Sequence, residues 1–84
     1  MAARAWWVYV LECRDGTLYT GIARDVAKRF AAHQAGTASK YTRARPPVAV
    51  RYRERMASRS AALKREAEIK RLSRARKLAL VSAS

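Results

Sequence analysis

Acidic residues and cysteine are scarce in this sequence, and each scarcity excludes a class of function. The chain of 84 residues has six Asp and Glu against nineteen Lys and Arg, a formal net charge of +13. This excess favours a polyanionic partner, with nucleic acid ahead of a solvated basic surface, a ribosome or an anionic membrane. The single cysteine, Cys13, excludes an intramolecular disulfide and a zinc site made of several cysteines. We expect Cys13 to behave as a small buried apolar side chain in a reducing compartment.

Long apolar runs are also missing, so the sequence predicts neither a signal peptide nor a membrane span. We therefore expect a cytoplasmic protein without membrane association. The length allows one small hydrophobic core, which predicts a single domain over residues 1–84 and most of any functional site on its surface. We expect this domain to be a monomer.

The positive charge is concentrated in the second half of the chain. Residues 1–40 contain six Lys and Arg and three acids, whereas residues 41–84 contain thirteen and three, so the second half carries +10 of the +13. We take Arg43, Arg45, Arg51 and Arg53 from this half as candidate nucleic-acid-binding residues.

Apolar periodicity and turn signals predict six elements in the order β-β-α-β-α-α. They are strands over 6–12, 18–22 and 48–52, and helices over 26–35, from Ser58 or Ser60 to about 72, and over 74–81. Asp25 is the expected N-cap of the first helix. Three strands with helices covering a face make an α+β domain.

The segment between the first helix and the third strand is predicted to be a polar loop over residues 37–45. Pro46 and Pro47 follow it and are incompatible with a continuing helix. In the strand that comes next, alternation predicts that Val48, Val50 and Tyr52 face the same side of the sheet.

The register of the first hairpin has two possible solutions. A two-residue Asp15-Gly16 loop would pair Tyr9 with Ile22 and place Tyr9 and Tyr19 on opposite faces of the sheet. A three-residue loop with Gly16 in the left-handed conformation would pair Cys13 with Thr17 and place both tyrosines on one face. Periodicity alone leaves both registers open.

Three polar side chains stand out on the predicted helices. Glu66 falls within the apolar arc of the second long helix, where a carboxylate requires a cation, hydrogen bonds or a metal. A structural salt bridge to a nearby arginine is the alternative interpretation. Arg29 and His33 are four residues apart, so they share a helical face at the edge of the core. A lone histidine on a helix is more often structural than catalytic, and an arginine in so basic a chain is weaker evidence of function still.

These residues together resemble a known family. Val8-Tyr9-Val10, followed ten residues on by Tyr19-Thr20-Gly21, resembles the two halves of the GIY-YIG nuclease motif, with departures at positions 8, 10 and 20. Arg29 follows Gly21 by eight residues, His33 follows Arg29 by four, and Glu66 matches the family's metal-binding glutamate. The similarity covers nearly the whole chain and is closest to small stand-alone bacterial members with a KYTRARPPV loop. The asparagine that some members use late in the domain has no convincing match.

The resemblance implies a three-stranded antiparallel sheet flanked by helices and a catalytic groove on that sheet. Tyr9 would then orient or deprotonate the attacking water, and Tyr19 would position the water or the phosphate. Arg29 would neutralise the developing phosphorane charge, with His33 as a hydrogen-bonding or acid–base group. Glu66 would hold Mg²⁺ or Mn²⁺. We accordingly expect the odd-length loop, with the hydroxyls of Tyr9 and Tyr19 converging toward Arg29.

Two function classes follow. The first is a metal-dependent DNA endonuclease that hydrolyses phosphodiester bonds, with a role in DNA repair or recombination. The second is a nucleic-acid-binding module that keeps the nuclease fold with little or no catalysis. DNA is the expected partner in both classes, and RNA is possible.

Overall fold

The computed structural model describes residues 5–82, which form three strands and four helices. The strands pair antiparallel in the order β2-β1-β3. This architecture confirms the expected α+β fold with a three-stranded antiparallel sheet and flanking helices. Its elements are β1 (Trp6–Cys13), β2 (Leu18–Ala23), α1 (Val26–Gln34), α2 (Lys40–Ala44), β3 (Pro47–Met56), α3 (Arg59–Lys70) and α4 (Arg74–Ser82).

The β1–β2 hairpin has the three-residue loop. The Cys13 N–H donates to the Thr17 carbonyl at 2.8 Å, and Gly16 adopts φ 85°. A residue with a Cβ is strained in that left-handed conformation, so glycine suits this loop position. The register continues through Tyr9 opposite Gly21, and the odd-length loop is therefore confirmed. Tyr9 and Tyr19 lie on one face of the sheet.

Alternate residues of β1 supply two separate cores on the two faces of the sheet. On the apolar face, Val8 and Val10 pack with Ala62 and Ile69 of α3. On the other, which we call the tyrosine face, a second cluster forms with α1; its buried members are Tyr9, Leu11, Ala23 and Val26. Cys13 is buried, as expected. The sheet thus separates an apolar layer from a layer that contains polar side chains.

The predicted facing of β3 is wrong. Val10 pairs with Tyr52 and Leu11 pairs with Val50, so Arg51 is an extra residue at a register shift. This irregularity reverses the alternation, because one inserted residue moves the residues beyond it to the opposite face. Val50 therefore packs on the tyrosine face and Tyr52 on the apolar face, while Val48 is 53% exposed.

The predicted loop over residues 37–45 contains a short helix, α2, which the sequence pattern did not reveal. Ser39 is its N-cap, and its hydroxyl accepts a hydrogen bond from the Thr42 N–H at 3.2 Å. A single polar turn of this kind has no apolar periodicity to indicate it, since it depends on capping and on one buried side chain.

Capping also defines the longer helices. Asp25 accepts from the Lys28 N–H at the start of α1, as predicted, and Ser58 rather than Ser60 caps α3. Over residues 5–82, every helix is too short or too polar to cross a membrane.

Candidate active site

Tyr9 and His33 form the centre of the candidate site. The Tyr9 side chain is 2% exposed, and its hydroxyl oxygen lies 2.9 Å from His33 Nε2. His33, on α1, is 1% exposed. Buried polar groups require hydrogen-bond partners, and these two side chains provide one for each other.

Gly21 makes room for the Tyr9 ring. A Cβ at position 21 would lie 2.5 Å from the Tyr9 hydroxyl oxygen and 2.7 Å from its Cζ. Both separations are far below van der Waals contact, so any side chain at position 21 would displace the ring. The glycine of the Tyr19-Thr20-Gly21 triplet is thus required by the position of the other tyrosine.

The second nitrogen of His33 is held by a residue of α2. Its Nδ1 lies 2.7 Å from the Thr42 hydroxyl, and Thr42 is fully buried. The Thr42 hydroxyl in turn lies 2.9 Å from the Ser39 hydroxyl. A continuous hydrogen-bonded chain therefore runs from Tyr9 through His33 and Thr42 to Ser39. Among residues 5–82, each buried side-chain N or O atom has a hydrogen-bond partner.

Tyr19 closes the site on another side. Its ring packs edge-on against His33 with centroids 4.9 Å apart and stacks on Tyr41 at 5.7 Å. The guanidinium of Arg45 lies 4.8 Å from the centre of the Tyr41 ring. Tyr9 and Tyr19 lie on opposite sides of the hairpin turn and contact the same imidazole. Tyr9 does so through its hydroxyl, and Tyr19 through an edge-on ring contact.

Burial and neighbouring charges set the protonation of this pair. Burial raises the pKa of Tyr9 well above its ordinary value, Tyr19 and Glu66 raise it further, and Arg29 opposes them. Burial also lowers the pKa of His33, and the charge of Arg29 lowers that pKa further. Near pH 7 the site therefore holds a protonated phenol beside a neutral imidazole. Arg29 is exposed and electrostatically coupled to both groups.

Glu66 comes from α3, the helix that covers the apolar face. Its side chain is 19% exposed, and Oε2 lies 3.2 Å from the ammonium nitrogen of Lys70. The partner is therefore a lysine one helical turn away instead of the arginine considered from the sequence. Glu68 is more exposed and pairs with Arg65 at 3.3 Å. The Glu66 carboxylate raises the pKa of Tyr9, so it lies within electrostatic reach of the tyrosine face.

The donor set at Glu66 fits one mode of divalent-metal binding. Across residues 5–82, no group of three His, Cys, Asp or Glu side chains is placed to hold a metal. Glu66 is therefore not part of a cluster of three such side chains within this part of the chain. Mg²⁺, however, is commonly held by one or two carboxylates together with substrate phosphates and water. A single partly exposed carboxylate is compatible with that mode.

The four arginines chosen from the sequence as nucleic-acid contacts do not share one environment. Arg45 pairs with Asp15 at 3.1 Å, and Arg51 pairs with Glu12. Arg53 is exposed on β3 opposite Tyr9 in the register, while Arg43 packs beside Gly36. Arg43 lies on α2, Arg45 is the C-cap of α2, and Arg51 and Arg53 lie on β3, so the four do not come from one element.

Sequence reasoning missed Thr42 and Ser39 as parts of the site. Threonine and serine in a polar segment usually indicate a loop or a cap, and Ser39 does cap α2. Only the fold shows that the Thr42 hydroxyl meets His33 Nδ1. One signal could have indicated this role: a buried histidine needs a hydrogen-bond partner for each ring nitrogen, and a hydroxyl side chain can supply the second one.

Comparisons with known proteins agree with this geometry. A family model described as the GIY-YIG catalytic domain matches residues 5–79. A UPF0213 protein of Cupriavidus pinatubonensis is 53% identical, covering 90% of this chain and 84% of its own length. A UPF0213 protein of Halobacterium salinarum is 56% identical, covering 87% and 95%.

A solved structure is similar as well. The solution NMR structure of a UPF0213 protein from Bacillus halodurans superimposes with a TM-score of 0.61 at 41% identity, covering 95% of this chain and 85% of that one. The family model matches residues 5–79, and the structure places two tyrosines on one face of a three-stranded sheet. Both observations indicate the same family. The chain belongs to the GIY-YIG domain family, among its small UPF0213 members.

Proposed function

We propose that this protein is a divalent-metal-dependent DNA endonuclease. Membership of the GIY-YIG family supports a nuclease-like function. The observation that carries the finer proposal is the hydrogen bond of 2.9 Å between the buried Tyr9 hydroxyl and His33 Nε2. A role in DNA repair or recombination is part of this proposal, since both processes require cleavage of phosphodiester bonds in DNA.

The Tyr9–His33 pair can take a proton from an attacking water. Tyr9 keeps its own proton near pH 7, because burial raises its pKa. To accept a proton from water, Tyr9 must transfer its hydroxyl proton to the unprotonated Nε2 of His33, which burial keeps neutral. The charge of Arg29 lowers the pKa of both partners, so it favours the phenolate and disfavours the imidazolium that this transfer forms. Tyr9 thus acts as general base through His33.

The remaining groups compensate the negative charge that develops on the phosphate. Arg29 is exposed and can donate to phosphate oxygens, as arginine does in two-point contacts. Tyr19 lies against His33 and limits the space beside the reacting atoms. Glu66 would hold Mg²⁺ or Mn²⁺, and that ion, when bound, supplies charge compensation at the phosphate.

The alternative function is a nucleic-acid-binding module that retains this fold. The ion pair between Glu66 and Lys70 favours it, because it gives the carboxylate a structural partner. Incubating the purified protein with branched and linear DNA in Mg²⁺ or Mn²⁺ distinguishes the two. Metal-dependent cleavage that is lost in Tyr9→Phe supports the nuclease. DNA binding without cleavage on any substrate supports the module.

Glu66→Gln tests the metal site in the same assay. The amide keeps the size of the side chain but removes the charge that a hard cation requires, so cleavage should be lost. Lys70 is 54% exposed and remains solvated without its partner. The free energy of unfolding should therefore fall by no more than about 1 kcal/mol. Glu68→Gln is the matched control, with cleavage retained. A large loss of stability in Glu66→Gln would instead indicate a structural carboxylate.

A further inference from the structure

A groove beside the candidate site combines unpaired positive charge with an aromatic ring. It has a volume of about 510 Å³ and lies between the end of β2 and α1. Arg24, Lys28, Arg29 and Trp6 line it, together with Asp25, Thr37 and three alanines. Small side chains leave room in the groove, and the longer ones supply three cations against one carboxylate.

The cations of this groove differ from four cations elsewhere that pair with carboxylates. Arg45, Arg51, Arg65 and Lys70 each form an ion pair with an acidic side chain. Within residues 5–82, by contrast, Arg24, Lys28 and Arg29 have no carboxylate within ion-pair distance. The lining carboxylate, Asp25, accepts a hydrogen bond from the Lys28 backbone N–H instead of pairing with a cation. The groove therefore keeps a local excess of positive charge.

Trp6 makes cation–π contacts with two arginines, one of which lines the groove. The Arg24 guanidinium lies 5.0 Å from the centre of the Trp6 ring, and the Arg59 guanidinium lies at 5.9 Å. Such contacts orient a guanidinium over the ring while leaving its N–H donors for another acceptor. Two of the protein's arginines thus meet at one ring that also lines the groove.

Arg29 joins the groove to the candidate site. It lines the groove and is electrostatically coupled to Tyr9 and His33. An anion bound at Arg29 in the groove would therefore lie within electrostatic reach of Tyr9 and His33. A chain of phosphates satisfies this geometry better than a single phosphate, since the groove offers cations at several points along α1 and the end of β2.

We propose that this groove, lined by Arg24, Lys28, Arg29 and Trp6, binds the phosphate backbone of the DNA strand that enters the Tyr9 site. The proposal rests on the proposed function for its substrate class. It assigns strand binding to the groove ahead of Arg43, Arg45, Arg51 and Arg53. Arginine and lysine contacts to phosphates release counterions, so binding through the groove has a measurable salt dependence.

Two variants that each remove two positive charges test the assignment. Arg24→Gln/Lys28→Gln alters the groove, and Arg71→Gln/Arg76→Gln, at two exposed arginines at the end of α3 and on α4, is the matched control outside it. Affinity for a fluorescently labelled DNA duplex is measured against salt in EDTA, so that cleavage does not interfere. The groove variant should reduce the slope of log K against log salt by about 1.8, which is two contacts of about 0.9 each. The control should keep the parental slope.

The result that overturns the proposal is equally specific. A control variant that reduces the slope as much as the groove variant, or a groove variant with the parental slope, assigns binding to another surface. The proposed nuclease function would survive that result, because cleavage is measured separately. A parent protein that binds no duplex would overturn the groove proposal, while the cleavage assay alone decides the nuclease proposal. Thermal melting of each variant verifies that it is folded.

The buried hydrogen-bonded chain carries a second inference, independent of the groove. The Thr42 hydroxyl donates to the Ser39 carbonyl at 3.4 Å, which leaves its oxygen to accept from His33 Nδ1–H. Nε2 is then unprotonated and accepts from the Tyr9 hydroxyl. The opposite tautomer would direct Nε2–H at the Tyr9 oxygen, and the phenolic proton would then have no hydrogen-bond acceptor among the described residues. The geometry points to Thr42 as a positioning residue that selects the Nδ1–H tautomer of His33.

The tautomer can be observed directly, because His33 is the only histidine in the sequence. In ¹⁵N NMR spectra of the labelled protein near pH 7, Nδ1 should carry the proton and Nε2 should not. Thr42→Val removes the acceptor and should shift protonation toward Nε2, whereas Thr42→Ser keeps a hydroxyl and should retain the parental tautomer. A parent protein with its proton on Nε2, or a Thr42→Val spectrum like that of the parent, overturns the assignment. If Thr42→Val does not fold, the parental spectrum alone decides.

Discussion

The two faces of the sheet are built from alternate residues of the same strand and yet differ in chemistry. On the apolar face, Val8 and Val10 of β1 pack against α3, and the buried members of that cluster are all apolar. On the tyrosine face, the neighbouring residue Tyr9 reaches a buried histidine and a buried threonine. Both faces therefore gain free energy from buried apolar side chains, and the tyrosine face adds an ordered chain of hydrogen bonds.

This difference has consequences for how each face responds to change. When a side chain in an apolar core is made smaller, the protein loses stability roughly in proportion to the volume that is removed. The arrangement of such a core depends mainly on how its side chains pack. A buried polar chain depends on every member having its partner, because an unpaired buried group loses its hydration without compensation. Substitutions on the apolar face should thus change stability, whereas those on the tyrosine face should also change chemistry.

The largest effect on stability is expected for Ile69→Ala on the apolar face. Ile69 is fully buried, so the substitution should reduce the free energy of unfolding by about 2–5 kcal/mol. Urea unfolding measures this change, and cleavage per folded molecule should stay at the parental level. Leu63→Ala on the same helix is the matched control, since Leu63 is 39% exposed and should change stability much less. Equal losses in the two variants would contradict the assigned core.

A smaller loss of stability is expected for Gly21→Ala on the tyrosine face. The new Cβ would overlap the Tyr9 ring, so overpacking should cost about 1–3 kcal/mol and displace the hydroxyl from His33. The same substitution in a Tyr9→Ala background should cost distinctly less, because the overlapping ring is absent. A double-mutant cycle measured by urea unfolding provides the comparison. Additive losses would show that the two residues do not interact.

The smallest effect concerns pH. The folded-state pKa of His33 lies below its ordinary value near 6.5, because burial and Arg29 disfavour the imidazolium. The unfolded chain therefore binds a proton that the folded chain does not, and stability should fall as pH decreases from about 7 toward 5. Melting temperatures across this range should decline in the parent and decline less in His33→Gln.

The acidic groups provide the internal check on this pH dependence. The pKa values of Asp15 and Glu54 are lowered, through hydrogen bonds from Thr17 to Asp15 and from Tyr52 and Arg65 to Glu54 despite burial of Glu54. Their contributions to stability are present above their ordinary pKa values and are lost only as pH falls through the lower folded values. The window from pH 7 to 5 therefore reports mainly on His33. Identical profiles for the parent and His33→Gln would contradict the depressed pKa.

Much of the candidate site could be predicted from spacing along the chain. Arg29 and His33 are placed by one turn of α1, and the separation of Tyr9 from Tyr19 follows from the hairpin once its loop length is known. Glu66 could be singled out because a carboxylate within an apolar helical arc needs compensation. The partner of Glu66 was less predictable, since nineteen cations compete and the nearest proved to be Lys70.

The sequence by itself determined the strands, the long helices, the positive charge and the residues that resemble a GIY-YIG motif, because these depend on local periodicity, capping and composition. The tertiary structure alone decided the extra residue at Arg51, the burial of Thr42 and its contact with His33. It also decided that Gly21 must lack a side chain beneath Tyr9. Each of these features depends on atoms brought together from distant parts of the chain, where packing and the pairing of buried polar groups outweigh local preference.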